Sequence, residues 1–215
     1  TITTPSLRTL ALVGPTGSGK TVLAEALLHR AGAIPAPGSI ERGNTVSDFD
    51  PLEKRMQHSL NTAVMHATFN GARIHLLDTP GGSDFLGQSL PSLEAVETAA
   101  IVINAAAGIE PMAVRMMEYA AERHLDRLII VNRIDTPGVD LAALLSQIQA
   151  AFGKECLPLN LPDADASRVV DCFYNREGHS DFGAVDAAHR ALVEQVVEVD
   201  SAFVERYLND GDVDA

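Results

Sequence analysis

The chain has no tryptophan, only two cysteines and no long apolar run. Cys156 and Cys172 match neither a metal-binding spacing nor the disulfide framework of a small secreted domain. No segment approaches the length of apolar sequence that a membrane-spanning helix needs, and the start of the chain has no signal-peptide pattern. We therefore expect a protein of a reducing, cytoplasmic setting that has no membrane partner.

Positive charge is also scarce in this sequence. There are 16 Lys and Arg residues against 29 Asp and Glu residues, which gives a formal net charge of -13. Binding to a nucleic-acid backbone depends on neutralising phosphates with Lys and Arg, so this balance argues against autonomous DNA or RNA binding. With 215 residues, 46% of them apolar, the chain can build one sizeable core with or without an appendage.

The most informative pattern follows an apolar run near the start of the chain. Residues 14–21 read Gly-Pro-Thr-Gly-Ser-Gly-Lys-Thr, the complete G-x-x-x-x-G-K-[ST] pattern of a phosphate-binding loop. Its glycines let backbone N–H groups surround phosphates, Lys20 adds positive charge against the outer phosphates, and the Thr21 hydroxyl suits Mg²⁺. We predict that a nucleoside triphosphate is bound by Gly14, Pro15, Thr16, Gly17, Ser18, Gly19, Lys20 and Thr21.

Strand-like and helix-like segments alternate along the chain. A strand at 7–13 and a helix at 20–31 flank the phosphate loop, and Asn70-Gly71 marks a tight hairpin. The segment 32–60 has no sustained period and is longer than most loops in a compact domain. The alternation predicts an α/β fold with a mostly parallel sheet and helices on both faces. The other predicted elements are strands at 60–69, 72–77, 100–105 and 127–131, and helices within 84–98 and at 111–124 and 139–152.

The end of the chain breaks this alternation. Four elements are predicted there: strands at 155–161 and 167–174, and helices at about 183–198 and 201–209. They suggest a small appended α+β subdomain. We therefore divide the chain into a nucleotide-binding core at 1–153 and a subdomain at 154–215.

A second motif, Asp78-Thr79-Pro80-Gly81, closes a predicted strand. The Asp78 carboxylate can hold Mg²⁺ through water, and the Gly81 N–H can donate to a γ-phosphate oxygen. In open α/β sheets, ligands bind at the carboxyl ends of strands, which is where this motif falls. The motif therefore predicts that this end of the strand contacts the nucleotide.

A third motif, Asn132-Arg133-Ile134-Asp135, follows the strand at 127–131. The Asp135 carboxylate can accept hydrogen bonds from N1–H and the 2-amino group of guanine, a donor pair that adenine lacks. Asn132 can bond the other edge of the base or tie this loop to the phosphate loop, and the stem of Arg133 can cover the base plane. Taken alone, the segment could be a simple polar turn after a strand. Because three motifs follow one another in the expected order, we favour the interpretation that it binds a guanine base.

These residues resemble a known family, the translational GTPases, and within it the GTP-binding domain of elongation factor G and its paralogues. The resemblance runs essentially the whole length of the chain. It implies a three-layer P-loop GTPase fold, GTP or GDP with Mg²⁺ as ligands, and the ribosome as partner. It rests first on four motifs: the phosphate loop, Asp78-Thr79-Pro80-Gly81 with Asp84-Phe85, Gly108-Ile109-Glu110-Pro111, and Val131-Asn132-Arg133-Ile134-Asp135. It also rests on residues 156–162 and 168–171, which resemble the insertion that elongation factor G carries within its GTPase domain.

The resemblance also implies roles for individual residues. It identifies 39–60 as the first switch, where Ser59 stands at the position of a Mg²⁺-binding threonine. The implied metal ligands are Thr21, Ser59 and Asp78. Lys20 is expected to stabilise the transferring phosphoryl group and Gly81 to sense the γ-phosphate, so the implied enzyme is a GTPase coupled to conformational switching.

The chain departs from the family pattern at several positions. The second switch of the family reads Asp-x-Pro-Gly-His, whereas Gly82 occupies the histidine position and has no side chain to orient water. Gly17 replaces an aspartate, and Gln57-His58 replaces Gly-Ile before the switch hydroxyl. We expect low intrinsic hydrolysis; a non-catalytic or very slow GTP-sensing paralogue is the alternative. A kinase or transferase that uses ATP is a third hypothesis, which Asp135 opposes.

Two patterns resemble missing family features. His58 is the nearest candidate in sequence to replace the absent histidine, although a solvated side chain in a polar loop is the ordinary interpretation. Ser201-Ala202-Phe203 matches the letters of the last guanine-contacting loop, but 200–208 favours a helix that begins near Asp200. We therefore expect the chain to stop before its own last motif, which would weaken its affinity for nucleotide.

Overall fold

A computed structural model describes residues 6–199 of the chain. Within them the chain forms two compact units, one that ends at Arg133 and one that begins at Ile134. The boundary drawn after residue 153 concerns the extent of a GTP-binding core and stays a prediction. The predicted helix at 201–209 lies outside the described residues, as does Ser201-Ala202-Phe203. None of the described helices is long and apolar enough to cross a membrane.

The first unit is built on one five-stranded sheet. Its strands are β1 (Leu7–Val13), β2 (Ala63–Phe69), β3 (Ala72–Asp78), β4 (Thr98–Asn104) and β5 (Asp126–Asn132). Their order across the sheet is β2-β3-β1-β4-β5. Only β2 is antiparallel to its neighbour, and the other pairs are parallel. The predicted mostly parallel sheet is therefore confirmed.

Helices pack on this sheet because its central strands, β1 and β4, are apolar on both faces. The helices described in this unit are α1 (Lys20–Arg30), α2 (Pro51–Met56), α3 (Leu86–Leu93) and α4 (Pro111–Glu122), with a 3-10 turn at Ser83–Phe85. Of these, α1, α3 and α4 pack on strands of the sheet. α1 packs Leu28 against Leu12 and Val102 of the sheet. Successive strand residues point to opposite faces, so the buried Ile101 and Ile103 face the other layer, where α4 packs on β4 and β5.

The hairpin between β2 and β3 turns at Asn70 and Gly71, as the sequence predicts. Both residues have positive φ, 47° and 79° respectively, which is the conformation that an Asn-Gly turn provides. The hairpin places Ala63 opposite Asp78, so the start of β2 lies beside the end of β3. This pairing brings the segment that precedes β2 to the carboxyl end of the sheet.

The long segment 32–60 is not a featureless loop, and the structure corrects that prediction. It contains α2, which Asp50 and Glu53 begin with a complete capping box and Pro51 at the first turn. Asp-Pro-x-Glu is a recognisable helix start. The helix was missed because it has only six residues, too few for an apolar period to show.

Within residues 134–199, the second unit contains two helices and a small hairpin. They are α5 (Leu141–Phe152), β6 (Asn160–Pro162), β7 (Val169–Asp171) and α6 (Val185–Val199). Leu161, Cys172, Val185 and Leu192 form its buried cluster. The two strands are shorter than predicted, because Pro158 and Pro162 carry no N–H for a longer antiparallel ladder.

Candidate nucleotide-binding site

The phosphate loop joins β1 to α1 and has the backbone that its glycines permit. Gly14, Gly17 and Gly19 all have positive φ, 137°, 79° and 92°. A side chain at Gly14 would overlap the carbonyl oxygen of Val102, and one at Gly19 would overlap the Asn132 amide. At these two positions glycine is therefore required by space as well as by conformation. The loop ends where α1 begins, so the N-terminus of that helix faces the same place.

Lys20, the first residue of α1, is buried and directed at the loop. Its ammonium donates to the carbonyl oxygens of Gly14 at 2.9 Å and Pro15 at 2.8 Å. Burial lowers the pKa of Lys20 to about 8, and the nearby carboxylates of Asp78 and Glu110 oppose that shift. An anion in the loop would supply the negative charge that this buried ammonium lacks.

Thr21, Ser59 and Asp78 meet beside the loop although they are distant in sequence. The Thr21 hydroxyl donates to Asp78 Oδ2 at 2.7 Å and lies 3.3 Å from Ser59 Oγ. The Ser59 hydroxyl donates to Asp48 Oδ1 at 2.7 Å. The three predicted metal ligands are thus brought together, and Asp48 is a fourth oxygen donor that was not among the predicted ligands.

The donor set of this cluster suits Mg²⁺. Asp78 is 1% exposed, and its Oδ1 atom has no hydrogen-bond partner within residues 6–199. Burial raises the pKa of Asp78 to about 6, although the Thr21 hydroxyl and Lys20 act in the opposite direction. A buried carboxylate oxygen without a partner, beside two hydroxyl groups, matches the hard oxygen ligands that Mg²⁺ binds.

The second switch lies against the phosphate loop at Gly81. A Cβ on Gly81 would come within 2.5 Å of both Lys20 Nζ and Thr16 N. No larger residue fits at that position in this conformation. Gly82 differs, because its φ of -76° and ψ of 142° are open to any residue. A Cβ on Gly82 would lie 3.0 Å from the Phe85 ring, which a small movement of that ring relieves.

His58 lies near Phe85 of the second switch. The two rings have centroids 6.5 Å apart. A ring nitrogen of His58, Nδ1, lies 3.0 Å from the carbonyl oxygen of Met56, in the same segment. The structure therefore places His58 near the second switch, but its Nδ1 contact is local.

The third motif is tied to the phosphate loop through one amide. Asn132 Nδ2 donates to the Ser18 carbonyl at 2.9 Å, and Asn132 Oδ1 accepts from the Arg133 N–H at 2.9 Å. Two contacts were predicted for Asn132, one with the base and one with the phosphate loop. The hydrogen bond to Ser18 is the contact with the phosphate loop. Arg133 has a φ of 58° and an exposed side chain. Asp135 belongs to the second unit, where its side chain is exposed, and its contact with guanine stays a prediction.

Three buried acids in and beside the first switch were not recognised as organising residues from the sequence. Glu25, Asp48 and Glu53 are 1%, 4% and 1% exposed. Glu53 completes a capping box, so its role could have been found from Asp-Pro-x-Glu. Glu25 gives only one signal, an acidic residue on the buried side of a helix that begins at a phosphate loop.

A sequence model of the elongation factor Tu GTP binding domain matches residues 5–211 of the chain. The chain belongs to this family. Membership confirms the resemblance to translational GTPases and the P-loop GTPase fold. It also establishes the chain as a translational GTPase domain.

Individual members of the family are longer than this chain. It is 33% identical to an elongation factor G-like protein of Mycobacterium tuberculosis over 97% of this chain and 31% of that protein. It is 32% identical to peptide chain release factor 3 of Symbiobacterium thermophilum over 80% of this chain and 33% of that protein. A crystal structure of a Thermus thermophilus protein superposes with a TM-score of 0.82 and 33% identity, over 94% of this chain and 33% of the other. The chain thus spans about a third of the length of these relatives.

Proposed function

We propose that the chain is the GTP-binding domain of an elongation factor G-like translation factor, which binds and hydrolyses GTP with Mg²⁺ and switches conformation on the ribosome in the cytoplasm. The observation that carries this proposal is the meeting of Thr21, Ser59 and Asp78 beside Lys20. These residues come from the phosphate loop and from both switches, so one bound ligand can reach all three segments.

The phosphates would be held mainly by backbone groups of residues 14–21. The N–H groups of the loop and the N-terminus of α1 favour an anion, and Lys20 adds a full positive charge. In the structure Lys20 and Thr16 N face Gly81. A γ-phosphate would therefore have to contact or displace the Gly81 backbone, which is how GTP and GDP would be told apart.

Mg²⁺ would be held by the hydroxyls of Thr21 and Ser59 and by Asp78, directly or through water. When bound, it would supply positive charge to the phosphate oxygens. The chain's part is to present these oxygens together, with Asp48 holding the Ser59 hydroxyl close to Thr21. Both switches then depend on one small cluster, and loss of the γ-phosphate would release them.

Guanine would be recognised by the third motif. Asp135 would accept the two N–H donors of the base, the Arg133 stem would cover its plane, and Asn132 would keep this loop fastened to the phosphate loop. The division of the chain into a core at 1–153 and an appended subdomain at 154–215 belongs to the same proposal, because it places this motif inside the core.

Hydrolysis would use Lys20 and Gly81, and its intrinsic rate would be low. Gly82 offers no side chain to orient the attacking water, and loss of a water-positioning group lowers GTPase rates by orders of magnitude. The same residue favours a second candidate function. A chain that binds GTP without efficient turnover would act as a GTP sensor that reports nucleotide state or occupies the ribosome.

Ribosome-stimulated hydrolysis separates these two functions. Single-turnover GTP hydrolysis by the full-length protein should be measured with and without ribosomes, beside a Lys20→Ala variant as the inactive control. Stimulation that the variant loses supports the GTPase. Tight GTP binding without stimulation supports the sensor, and absence of any guanine-nucleotide binding contradicts both.

A further inference from the structure

Glu25 is a buried carboxylate that holds two separated points of the first switch. Its Oε2 atom accepts the Gly38 N–H at 2.7 Å and its Oε1 atom accepts the Val46 N–H at 2.5 Å. The side chain is 1% exposed. Hydrogen bonds from backbone N–H groups to an ionised, buried carboxylate are among the stronger ones in proteins. Both oxygens of Glu25 are therefore engaged in fastening one segment of the chain.

The two fastened points are the ends of a small closed loop, residues 38–46. Inside it the Ser39 N–H donates to Asn44 Oδ1 at 2.9 Å, and the Gly43 N–H donates to the Ile40 carbonyl at 3.0 Å. A Cβ on Gly38 would come within 2.5 Å of the Asn44 carbonyl oxygen, so the ends of the loop are close together. The loop is thus a unit, and Glu25 of α1 accepts hydrogen bonds from both of its ends.

The end of the loop at Val46 is connected to Ser59, the predicted metal ligand, through Asp48. Thr45 Oγ1 donates to Asp48 Oδ2 at 3.3 Å, and Ser59 Oγ donates to Asp48 Oδ1 at 2.7 Å. Thr45 and Asp48 are both buried. A continuous series of hydrogen bonds and short chain segments therefore connects Glu25 with Ser59.

The series closes on the helix from which it starts. Ser59 Oγ lies 3.3 Å from Thr21 Oγ1, and Thr21 is four residues before Glu25 in α1. Residues four apart lie on the same side of a helix. One turn of α1 therefore presents the phosphate-loop hydroxyl at Thr21 and the carboxylate at Glu25, which hold the same switch at different points.

We propose that Glu25 is a positioning residue that fastens the first switch to α1 and thereby places Ser59 for the triphosphate state. This inference rests on the proposed function, because it takes Ser59 to act only when Mg²⁺ and a γ-phosphate are bound. Glu25 itself touches neither group. Its effect is selective: it supports binding of GTP with Mg²⁺ and leaves binding of GDP nearly unchanged.

Glu25→Gln tests the proposal in the 215-residue chain. The variant keeps the size of the side chain, but its amide nitrogen opposes one of the two backbone N–H donors. An unsatisfied buried donor costs enough to change an equilibrium about 10-fold or more. We expect affinity for a non-hydrolysable GTP analogue with Mg²⁺ to fall by at least about that factor, and affinity for GDP to change by less than about 3-fold.

Amide hydrogen exchange supplies a readout that does not depend on nucleotide. In the nucleotide-free chain, Glu25→Gln should speed exchange of the Gly38 and Val46 amides and of the segment up to Ser59, while β4 stays protected. Glu122→Gln is the matched control, since it makes the same change at an exposed position of α4. If Glu25→Gln does not fold, Glu25→Asp keeps the charge on a shorter side chain and should show the same local loss of protection.

The outcomes separate this inference from the function it rests on. Unchanged protection of residues 38–59 in both Glu25 variants overturns the proposal, as does an equal loss of affinity for GTP analogue and GDP. A wild-type chain that binds no guanine nucleotide contradicts the proposed function instead. The exchange pattern of the nucleotide-free variants would still decide whether Glu25 fastens the switch.

Discussion

Two buried ionisable residues define the character of this site at the level of single residues. Burial raises the pKa of Asp78 to about 6 and lowers that of Lys20 to about 8, so burial favours the neutral form of each. Both shifts mean that the site without ligand is a poor environment for charge. Phosphates beside Lys20 and a cation beside Asp78 would remove that penalty, which is why these shifts point to binding rather than to structural support.

The Asp78 shift predicts how the stability of the nucleotide-free, metal-free chain depends on pH. The folded-state pKa of about 6 lies above the ordinary value of 3.8, so the folded chain binds the proton more tightly than the unfolded chain does. The stabilising contribution is complete below pH 3.8 and is lost as pH rises through about 6. In chemical denaturation, the wild type should lose on the order of 3 kcal/mol relative to Asp78→Asn between these limits. A constant difference between the two chains would contradict this prediction.

Gly82→His should raise ribosome-stimulated GTP hydrolysis. The backbone at this position accepts any residue, and the Cβ of the new side chain would need only a small shift of Phe85. A group that orients or polarises water contributes large rate factors, so we expect an increase of about 10-fold or more in single-turnover rate. Gly87→His, at an exposed position of α3, is the matched control. Equal rates in wild type and Gly82→His, both stimulated by ribosomes, would show that another group already orients the water.

At the level of elements, the first switch is held by buried acidic side chains that accept hydrogen bonds from its backbone N–H groups. Glu53 Oε1 accepts the N–H groups of Leu60 at 2.9 Å and Asn61 at 3.0 Å, and its Oε2 atom accepts that of Asp50 at 3.2 Å. One side chain therefore caps α2 at its start and fixes the chain that follows Ser59. Together with Glu25, it gives a long connection the hydrogen bonds that a regular element would provide.

Glu53→Ala should clearly destabilise the chain, although Glu53 belongs to a helix of only six residues. Three backbone donors would lose their buried partner, so we expect the free energy of unfolding to fall by about 1–3 kcal/mol. Urea denaturation measures this change directly. Lys54→Ala, one residue along and exposed, should cost less than about 0.5 kcal/mol. If both variants had the same stability, the capping role of Glu53 would be refuted.

The strands, the long helices and the three motifs could be predicted from the sequence because each has a local signal. β1 and α1 carry continuous apolar patterns around the phosphate loop, and Asn70-Gly71 specifies its own turn. The meeting of Ser59 with Thr21 was available only from the family resemblance. The role of Glu25 could not be predicted, because a buried acid is recognised only when its backbone partners, far along the chain, are seen beside it.

At the level of the whole molecule, the charge balance limits how the chain can meet the ribosome. A net charge of -13 opposes general attraction to RNA. The ribosome contact proposed above would therefore be local rather than spread over the surface of the chain.

Competition for nucleotide by the 215-residue chain tests the central claim most directly. With fluorescent GDP bound in the presence of Mg²⁺, unlabelled GTP and GDP should displace it, and ATP should be at least about 100-fold weaker, because Asp135 would meet no donor pair on adenine. Asp135→Asn should remove most of that preference. Displacement by ATP as strong as by GTP, or no binding of labelled GDP at all, would contradict the account.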